Sequence, residues 1–400
     1  MKDKKNTFLK GALAGALAML IIVFAAMGVY QRVPFVRSWV SGMTSQSSKA
    51  PVKVKLELLE DMIEQYYLYE DEIDPQKQED GIYSGYIDGL DDPYSVYFNE
   101  EATIRLREAT SGEFSGIGAG LNWDQSETAV EIVRVYDGTP AQEAGLQVGD
   151  IIYQVDDRVV SGEDLSEIVS WIRGKEGTDV ALIIYRDGEQ MEFTVTRRTV
   201  QVQTVSHEMR DNQIGYISIS EFDRVTYGQF EAALTDLEAQ GMQGLVVDLR
   251  YNPGGNLDVV VNILQLMLPE GMIVSMQDKN GRTTEFKGDG AHVFTKPLVV
   301  LVNEFSASAS EIFAGAIQDY GIGQIVGETT YGKGVVQNII DLQDGTSLKL
   351  TVAEYFTPKG RSINRVGVVP DVEVAFEADP ENASRDNQLE KALEIVSSLQ

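Results

Sequence analysis

Three serines that alternate with alanines are the first candidates for a reactive side chain. Ser306, Ser308 and Ser310 lie in the stretch NEFSASASEIFAGA, residues 303–316. An apolar run, PLVVLVN, precedes them and a helix-like run follows, which predicts a strand-to-helix turn. A serine on such a turn exposes its hydroxyl, and the next backbone amide can stabilise an oxyanion. The pattern leaves open which serine reacts, and three helix-capping serines are the alternative.

A nucleophilic serine needs a base, and few side chains in this sequence can serve. The chain has two histidines, His207 and His292, and no cysteine. His207 lies at a domain junction and His292 in a polar turn, neither beside a glycine-rich loop. Lys333 does lie in such a loop, GETTYGKGVVQ, with glycines on both sides. Its pKa would have to fall by about three units from ~10.4 to be half neutral at pH 7, which burial can supply.

A second glycine-rich loop, RYNPGGNLD at residues 250–258, follows the apolar run GLVVDLR. In open α/β sheets, ligands bind beyond the carboxyl ends of the strands. Each of the two strand-to-helix loops also brings amides to a helix N-terminus, which favours negative charge. The sequence therefore predicts one site built from the serine loop, the lysine loop and this loop.

Residues 104–198 contain the glycine-rich stretch GIGAGL, the run AGLQVGDIIYQVD at residues 144–156, and Asp187-Gly188, which predicts a hairpin turn. Together they resemble a PDZ domain, and AGLQVGDIIYQVD has the pattern of bacterial PDZ modules. The stretch GIGAGL lies where that family binds a carboxylate, and consecutive backbone amides there can hold a peptide C-terminus. An ordinary glycine turn is the alternative for this stretch taken alone. The predicted tail-binding residues are Gly116, Ile117, Gly118, Ala119, Gly120 and Leu121.

The N-terminus predicts a membrane anchor. A basic segment, residues 1–10, precedes the uncharged stretch 11–30, which is long enough to span a bilayer. The four lysines before this stretch outnumber the two arginines after it, so residues 1–10 are expected in the cytoplasm and the body outside. We therefore expect a single-pass protein of the cell membrane, with a cleaved, secreted form as the alternative. The formal net charge of −29 argues against nucleic acid as a partner.

The remaining patterns predict the domain order. A linker spans residues 31–51, a helical region 52–103, the PDZ domain 104–198, and a core of alternating strands and helices 199–400 with a C-terminal helix. Parallel strands with helical crossovers are expected in that core. The helical region and the C-terminal helix are candidate homodimer surfaces, with internal packing as the alternative. No cofactor and no metal are expected, because spacings such as HExxH are absent.

Several motifs follow one another along the chain: DDPYSVYF, SGEFSGIGAGL, DLRYNPGG, SASASEIFAGA and GKGVVQ. In this order they resemble the C-terminal processing peptidases, also called tail-specific proteases, and the resemblance covers residues 53–400. It implies a Ser-Lys serine endopeptidase on an α/β crotonase-like (ClpP/crotonase-type) core, preceded by a β-rich PDZ domain. Its substrates would be proteins or peptides with free C-termini.

The resemblance also implies roles for individual residues. Ser308 would be the nucleophile, Lys333 the general base, and Gln337 the residue that positions the lysine. The oxyanion hole would combine the amide of Ala309 with that of Gly254 or Gly255, and Gly254 is favoured.

Two other functions compete with the protease. The first is a catalytically inert, membrane-anchored PDZ scaffold that binds protein tails. The second, acyl-CoA chemistry on a crotonase-like fold, lacks a nucleotide site in the sequence. Loss of peptide hydrolysis in Ser308→Ala would separate the protease from the scaffold.

Overall fold

The computed structural model of the chain describes residues 50–123, 129–161, 164–379, 382 and 385–400. The predicted anchor, residues 11–30, and most of the predicted linker lie outside these ranges. Within them, no helix combines the length and apolar character that crossing a membrane requires. The chain divides into two units, one up to Ile82 and one from Tyr83 to Gln400.

The elements, in chain order, have the following bounds. The first helices and the PDZ region contain α1 (Ala50–Tyr66), α2 (Pro75–Asp88), β1 (Val96–Phe98), α3 (Glu100–Ser111), β2 (Glu113–Gly116), β3 (Ala119–Trp123), β4 (Val130–Val135), α4 (Pro140–Ala144), β5 (Ile151–Val155), β6 (Arg158–Val159), α5 (Leu165–Ile172), β7 (Asp179–Arg186), β8 (Glu189–Thr196) and β9 (Arg198–Gln201). The rest of the chain contains β10 (Val205–Arg210), β11 (Ile214–Ile219), α6 (Thr226–Ala239), β12 (Gly244–Asp248), α7 (Leu257–Gln265), β13 (Gly271–Asp278), β14 (Thr283–Gly288), β15 (Leu298–Val302), α8 (Ala309–Tyr320), β16 (Gln324–Gly327), β17 (Val335–Asp341), β18 (Ser347–Phe356), β19 (Val372–Glu373) and α9 (Asn387–Leu399). Short 3₁₀ turns occupy Glu70–Glu72 and Asp211–Gln213.

A six-stranded sheet forms the centre of the C-terminal region. Its order is β10-β11-β12-β15-β16-β19, and the strands from β11 onwards run parallel while β10 is antiparallel. Every residue of β12 and β15 is buried, as expected for central parallel strands covered on both faces. The predicted parallel arrangement with helical crossovers is therefore confirmed for these strands.

The two faces of this sheet are covered differently. Helices α6, α7 and α8 contribute to the large apolar cluster on one face, while Ala392 and Val396 of α9 pack against Val246 and Val299 on the other. For α9 the structure therefore shows the internal packing that the sequence left as an alternative.

A second sheet departs from the sequence-based expectation. The parallel arrangement predicted for residues 199–400 does not extend to β13, which pairs antiparallel with β14 and β18. Strands β1 and β17 also pair antiparallel with β18. This sheet matters for the site because β17 begins just after Lys333.

The PDZ region has its own core of buried aliphatic residues, including Ile132, Ile152, Leu182 and Ile184. Its sheet has the order β3-β4-β5-β7-β8, with the predicted hairpin between β7 and β8. Strand β3 pairs only with β4 within the described residues, so one edge of β3 is open. Residue 104, the predicted start of this domain, lies inside helix α3.

Candidate active site

Ser308 lies at the turn between β15 and α8, in a backbone conformation that non-glycine residues rarely adopt. Its φ is 54° and its ψ is −112°, and it immediately precedes the first residue of α8. Such a conformation costs of the order of 1–3 kcal/mol and is found most often at functional sites. The side chain is half-buried and lies at the positive end of the α8 dipole.

The other two serines are buried and hydrogen-bonded. Ser306 Oγ donates to the carbonyl of Leu249 at 2.8 Å and accepts from Asn303 N at 2.9 Å. Ser310 Oγ donates to the carbonyl of Asn252 at 3.0 Å. Both side chains have no exposed surface. Burial thus distinguishes the half-buried Ser308 from the fully buried Ser306 and Ser310, a distinction that the sequence pattern does not make.

Asn252 fixes the glycine loop against the serine loop. The residue is fully buried, and its carbonyl accepts from Ala307 N at 3.0 Å as well as from Ser310 Oγ. Its side chain donates to the Ile219 carbonyl at 2.8 Å and accepts from Gly254 N at 2.8 Å. These four bonds set the distance between the Pro253-Gly254-Gly255 turn and the start of α8.

The two predicted oxyanion glycines differ in their hydrogen bonding. The amide of Gly254 is already donated to Asn252 Oδ1. The amide of Gly255 donates to no group in the described part of the chain, although the flanking Gly254 carbonyl and Asn256 amide both bond to Phe222. The amide of Ala309 likewise has no acceptor among the described residues. Ala309 and Gly255 therefore carry the amides that are available for a ligand.

Glu311 joins the serine loop to the lysine loop. Its carboxylate is fully buried and accepts from Ser308 N at 2.8 Å and Lys333 N at 2.9 Å through Oε2. Oε1 accepts from Thr330 Oγ1 at 2.6 Å and Gly332 N at 2.7 Å. Burial raises the pKa of Glu311, while these four donors oppose that rise. The sequence analysis did not single out this residue, although Ser308 and Glu311 have the spacing of a capping box.

Tyr355 on β18 makes a second connection between the same two loops. Its hydroxyl lies 3.0 Å from the Ser308 carbonyl and 2.5 Å from the Lys333 carbonyl. The side chain is 1% exposed, and burial raises its pKa well above the usual value. The tyrosine is therefore a neutral donor that holds the two backbones together.

Lys333 is half-buried in the lysine loop. Burial and the charge of Lys349 lower its pKa, and the carboxylate of Glu311 partly opposes that effect. The direction is the one that a general base at neutral pH requires. In this structure, however, no hydrogen bond joins Lys333 Nζ to Ser308 Oγ, and Nζ lies instead 4.9 Å from the centre of the Tyr94 ring.

Gln337 lies on β17 at a register irregularity that begins after Val336. Its side-chain amide donates to Thr351 Oγ1 at 3.3 Å rather than to the lysine. The role predicted for it, positioning Lys333, stays a prediction. The two histidines lie elsewhere: His207 on β10 bonds to Asp236 at 2.9 Å, and His292 is exposed in the turn before β15.

The GIGAGL stretch connects β2 to β3 in the PDZ region. Gly116, Ile117 and Gly118 are buried, and the carbonyls of Ile117 and Gly118 accept from Ala141 N and Tyr136 N. Ala119, Gly120 and Leu121 begin the open-edged strand β3 and are half-buried. The predicted tail-binding residues thus lead directly into an edge that an extended peptide can extend by β-pairing.

Comparison with known proteins identifies the family. Residues 213–374 match Peptidase family S41, and residues 131–186 match the PDZ domain. The chain is 38% identical over 306 residues to carboxy-terminal processing protease CtpA of Bacillus subtilis, covering 76% of this chain and 65% of that protein. It is 36% identical over 309 residues to the carboxy-terminal-processing protease of Bartonella bacilliformis, covering 75% of this chain and 70% of that protein. This chain belongs to the carboxy-terminal processing proteases of peptidase family S41.

The family assignment confirms the resemblance that the sequence motifs predicted. The match with this chain spans about two thirds of the length of these two relatives. Among solved structures, the photosystem II D1 C-terminal processing protease is 30% identical and has a TM-score of 0.48, with 87% of this chain and 95% of that one covered. The coarse fold prediction, an α/β peptidase core with a PDZ domain, is likewise confirmed.

Proposed function

We propose that this chain is a membrane-anchored serine endopeptidase that cleaves the C-terminal tails of extracytoplasmic proteins with a Ser308-Lys333 dyad. The observation that carries the proposal is the geometry of the serine loop. Ser308 alone of the three serines has a strained backbone and a side chain that is not fully buried, at the N-terminus of α8. Family membership supports the reaction class, and the lowered pKa of Lys333 supports its role as base.

The proposed reaction begins when the neutral amine of Lys333 takes the proton from Ser308 Oγ. The oxygen then attacks the scissile carbonyl carbon, and the oxyanion accepts hydrogen bonds from the amides of Ala309 and Gly255. We assign the second donor to Gly255 rather than to the sequence-favoured Gly254, because the Gly254 amide already bonds to Asn252. The lysine ammonium returns its proton to the leaving amine, and water hydrolyses the acyl-enzyme by the same route.

A lysine base requires movement from the arrangement described above. Lys333 Nζ, which lies over the Tyr94 ring, must come within about 3 Å of Ser308 Oγ. The backbone bonds through Glu311 and Tyr355 already hold the two loops side by side, so a change of side-chain rotamer is the step we propose. Gln337 would then bond to the amine in its active position.

The PDZ region is proposed to present the substrate. A free C-terminal carboxylate would bind at residues 116–121, and the preceding residues of the tail would pair with the open edge of β3. The finer fold assignment, a crotonase-like core, is proposed on the parallel sheet with its helical crossovers. Homodimer formation is proposed through the region of α1, because the apolar face of α9 is used internally.

The activity is tested on a model protein that carries an apolar C-terminal tail. We expect the full-length protein to cleave it and Ser308→Ala to bind it without cleavage, while the matched variant Ser306→Ala retains turnover. An inert scaffold would instead bind the tail and leave it intact in the unsubstituted protein. Cleavage by Ser308→Ala at the rate of the unsubstituted protein would contradict the proposal.

The location is tested separately. We propose that residues 11–30 remain as a single-pass anchor with the peptidase outside the cytoplasm, because the stretch is uncharged and the lysines precede it. N-terminal sequencing of the mature protein from membrane and medium fractions should find the intact N-terminus in the membrane. A shortened protein in the medium alone would favour the secreted form.

A further inference from the structure

Tyr94 lies in a turn that hydrogen bonds fix against the second sheet. Asp92 Oδ1 accepts from Tyr94 N at 3.1 Å, and Asp92 Oδ2 accepts from Ser95 Oγ at 2.6 Å. Ser95 is buried, and its hydroxyl also accepts from Thr351 N of β18 at 3.1 Å. The position of the Tyr94 ring is therefore set by the fold and not by a free surface loop.

The face of this ring points to the amine of the proposed base. Lys333 Nζ lies 4.9 Å from the ring centre, well within the range of a cation–π interaction. The negative face of the ring attracts an ammonium group and has no comparable attraction for a neutral amine. The contact consequently stabilises the protonated lysine in a position where it makes no hydrogen bond with Ser308.

Other charged groups around Lys333 either raise or lower its pKa. Lys349 on β18 disfavours the ammonium form, and Glu311 on α8 favours it. The Tyr94 hydroxyl is hydrogen-bonded to Tyr331, and the charges of Asp92 and Glu311 also act on it. Burial and Lys349 destabilise the charged form of Lys333. The face of the Tyr94 ring, 4.9 Å from the amine, stabilises that charged form and so opposes both effects.

We propose that Tyr94 is a positioning residue that holds the Lys333 ammonium on its ring between turnovers and so sets the pH at which the base becomes active. The proposal rests on the Ser308-Lys333 mechanism proposed above. Without the ring face, the ammonium form loses a stabilising contact, so Lys333 should lose its proton at a lower pH. The hydrogen bond from Ser308 N to Glu311 does not involve Tyr94.

The test is the pH dependence of kcat/KM for the full-length protein on the tailed model substrate. Tyr94→Leu should lower the apparent pKa of the rising limb by about 0.5 to 1 unit, since the contact contributes on this scale. At a pH below that limb, activity relative to the plateau should rise about three- to tenfold. Tyr94→Phe keeps the ring face and should keep the profile of the unsubstituted protein.

A graded series of ring substitutions at position 94 gives a second test that does not depend on whether Tyr94→Leu folds. Phenylalanines with an increasing number of ring fluorines, incorporated at position 94, keep the shape while weakening the negative face. The apparent pKa should fall stepwise along the series. Tyr97→Leu is the matched control in the same segment. Tyr97 packs against Tyr83, with 5.3 Å between the centres of the two tilted rings, and its replacement should leave the profile unchanged.

The outcomes separate this inference from the mechanism on which it rests. If Lys333→Ala is inactive and neither Tyr94→Leu nor the fluorinated series moves the apparent pKa, the role of Tyr94 is refuted and the dyad stands. If Lys333→Ala retains full activity, the dyad itself is wrong. A stepwise fall in the fluorinated series together with an inactive Lys333→Ala supports both.

Discussion

Replacing Gly254 by alanine tests how closely the glycine loop approaches Ser308. The φ of Gly254 is 104°, a value that residues with a side chain rarely adopt. An added Cβ would lie 2.6 Å from the Ala307 carbonyl oxygen, 2.7 Å from Ser308 Cβ and 2.9 Å from Ala309 N. Since ordinary contact begins near 3.4 Å, Ser308 Cβ would have to retreat by roughly 0.7 Å.

The expected cost follows from two physical effects. Backbone strain contributes about 1–3 kcal/mol, and overpacking about another 1–3 kcal/mol. The free energy of unfolding should therefore fall by about 2–6 kcal/mol, measured by urea unfolding followed by circular dichroism. A displacement approaching 1 Å at the reacting atom should reduce kcat/KM at least ~100-fold on the tailed substrate.

Gly228→Ala provides the matched control. Gly228 lies within helix α6, and an added Cβ there meets no atom within 4 Å. Alanine should stabilise the helix by about 0.5–1 kcal/mol and leave kcat/KM unchanged. If Gly254→Ala retains normal stability and activity, the close packing of this loop on Ser308 is refuted.

Three further predictions concern the residues around Ser308 and Lys333 and the binding of the substrate tail. Ser306→Ala and Ser310→Ala should each cost about 1–3 kcal/mol of unfolding free energy, because a buried carbonyl loses its donor, yet keep most of the activity; an inactive Ser306→Ala beside an active Ser308→Ala would reverse the assignment. Tyr355→Phe should lower kcat about tenfold with little change in KM, since about 1.4 kcal/mol of loop alignment is lost; unchanged kcat would show that the hydroxyl is dispensable. Amidating the C-terminus of a substrate tail should weaken its binding measured by calorimetry, and equal affinities would contradict the carboxylate role of residues 116–121.

The strands that the sequence predicts best are those with the simplest patterns. Continuous apolar runs mark β12 and β15 as buried parallel strands, and both are fully buried in the central sheet. The run in β13 was misplaced because an eight-residue apolar-polar strand fits either kind of sheet. Its pairing with β18, about eighty residues later, is a long-range contact that no local pattern encodes.

The site shows the same division between local and distant information. The alternation of serine and alanine predicts the turn, but burial and backbone conformation distinguish Ser308 from Ser306 and Ser310. Glu311 resembles an ordinary capping residue and Tyr355 an ordinary strand residue. Their importance comes from bonds to Lys333 and its loop, which are brought together by the tertiary fold.

The proposed base is tested most directly by kcat/KM against pH on the tailed substrate for three proteins. For the unsubstituted protein, activity should rise with pH as Lys333 loses its proton, with an apparent pKa below ~10.4 because burial and Lys349 disfavour the charge. Lys333→Arg stays charged throughout this range and should be inactive. The double variant His207→Gln, His292→Gln should keep the profile of the unsubstituted protein. An active Lys333→Arg together with an inactive double variant would refute the lysine base and restore a histidine.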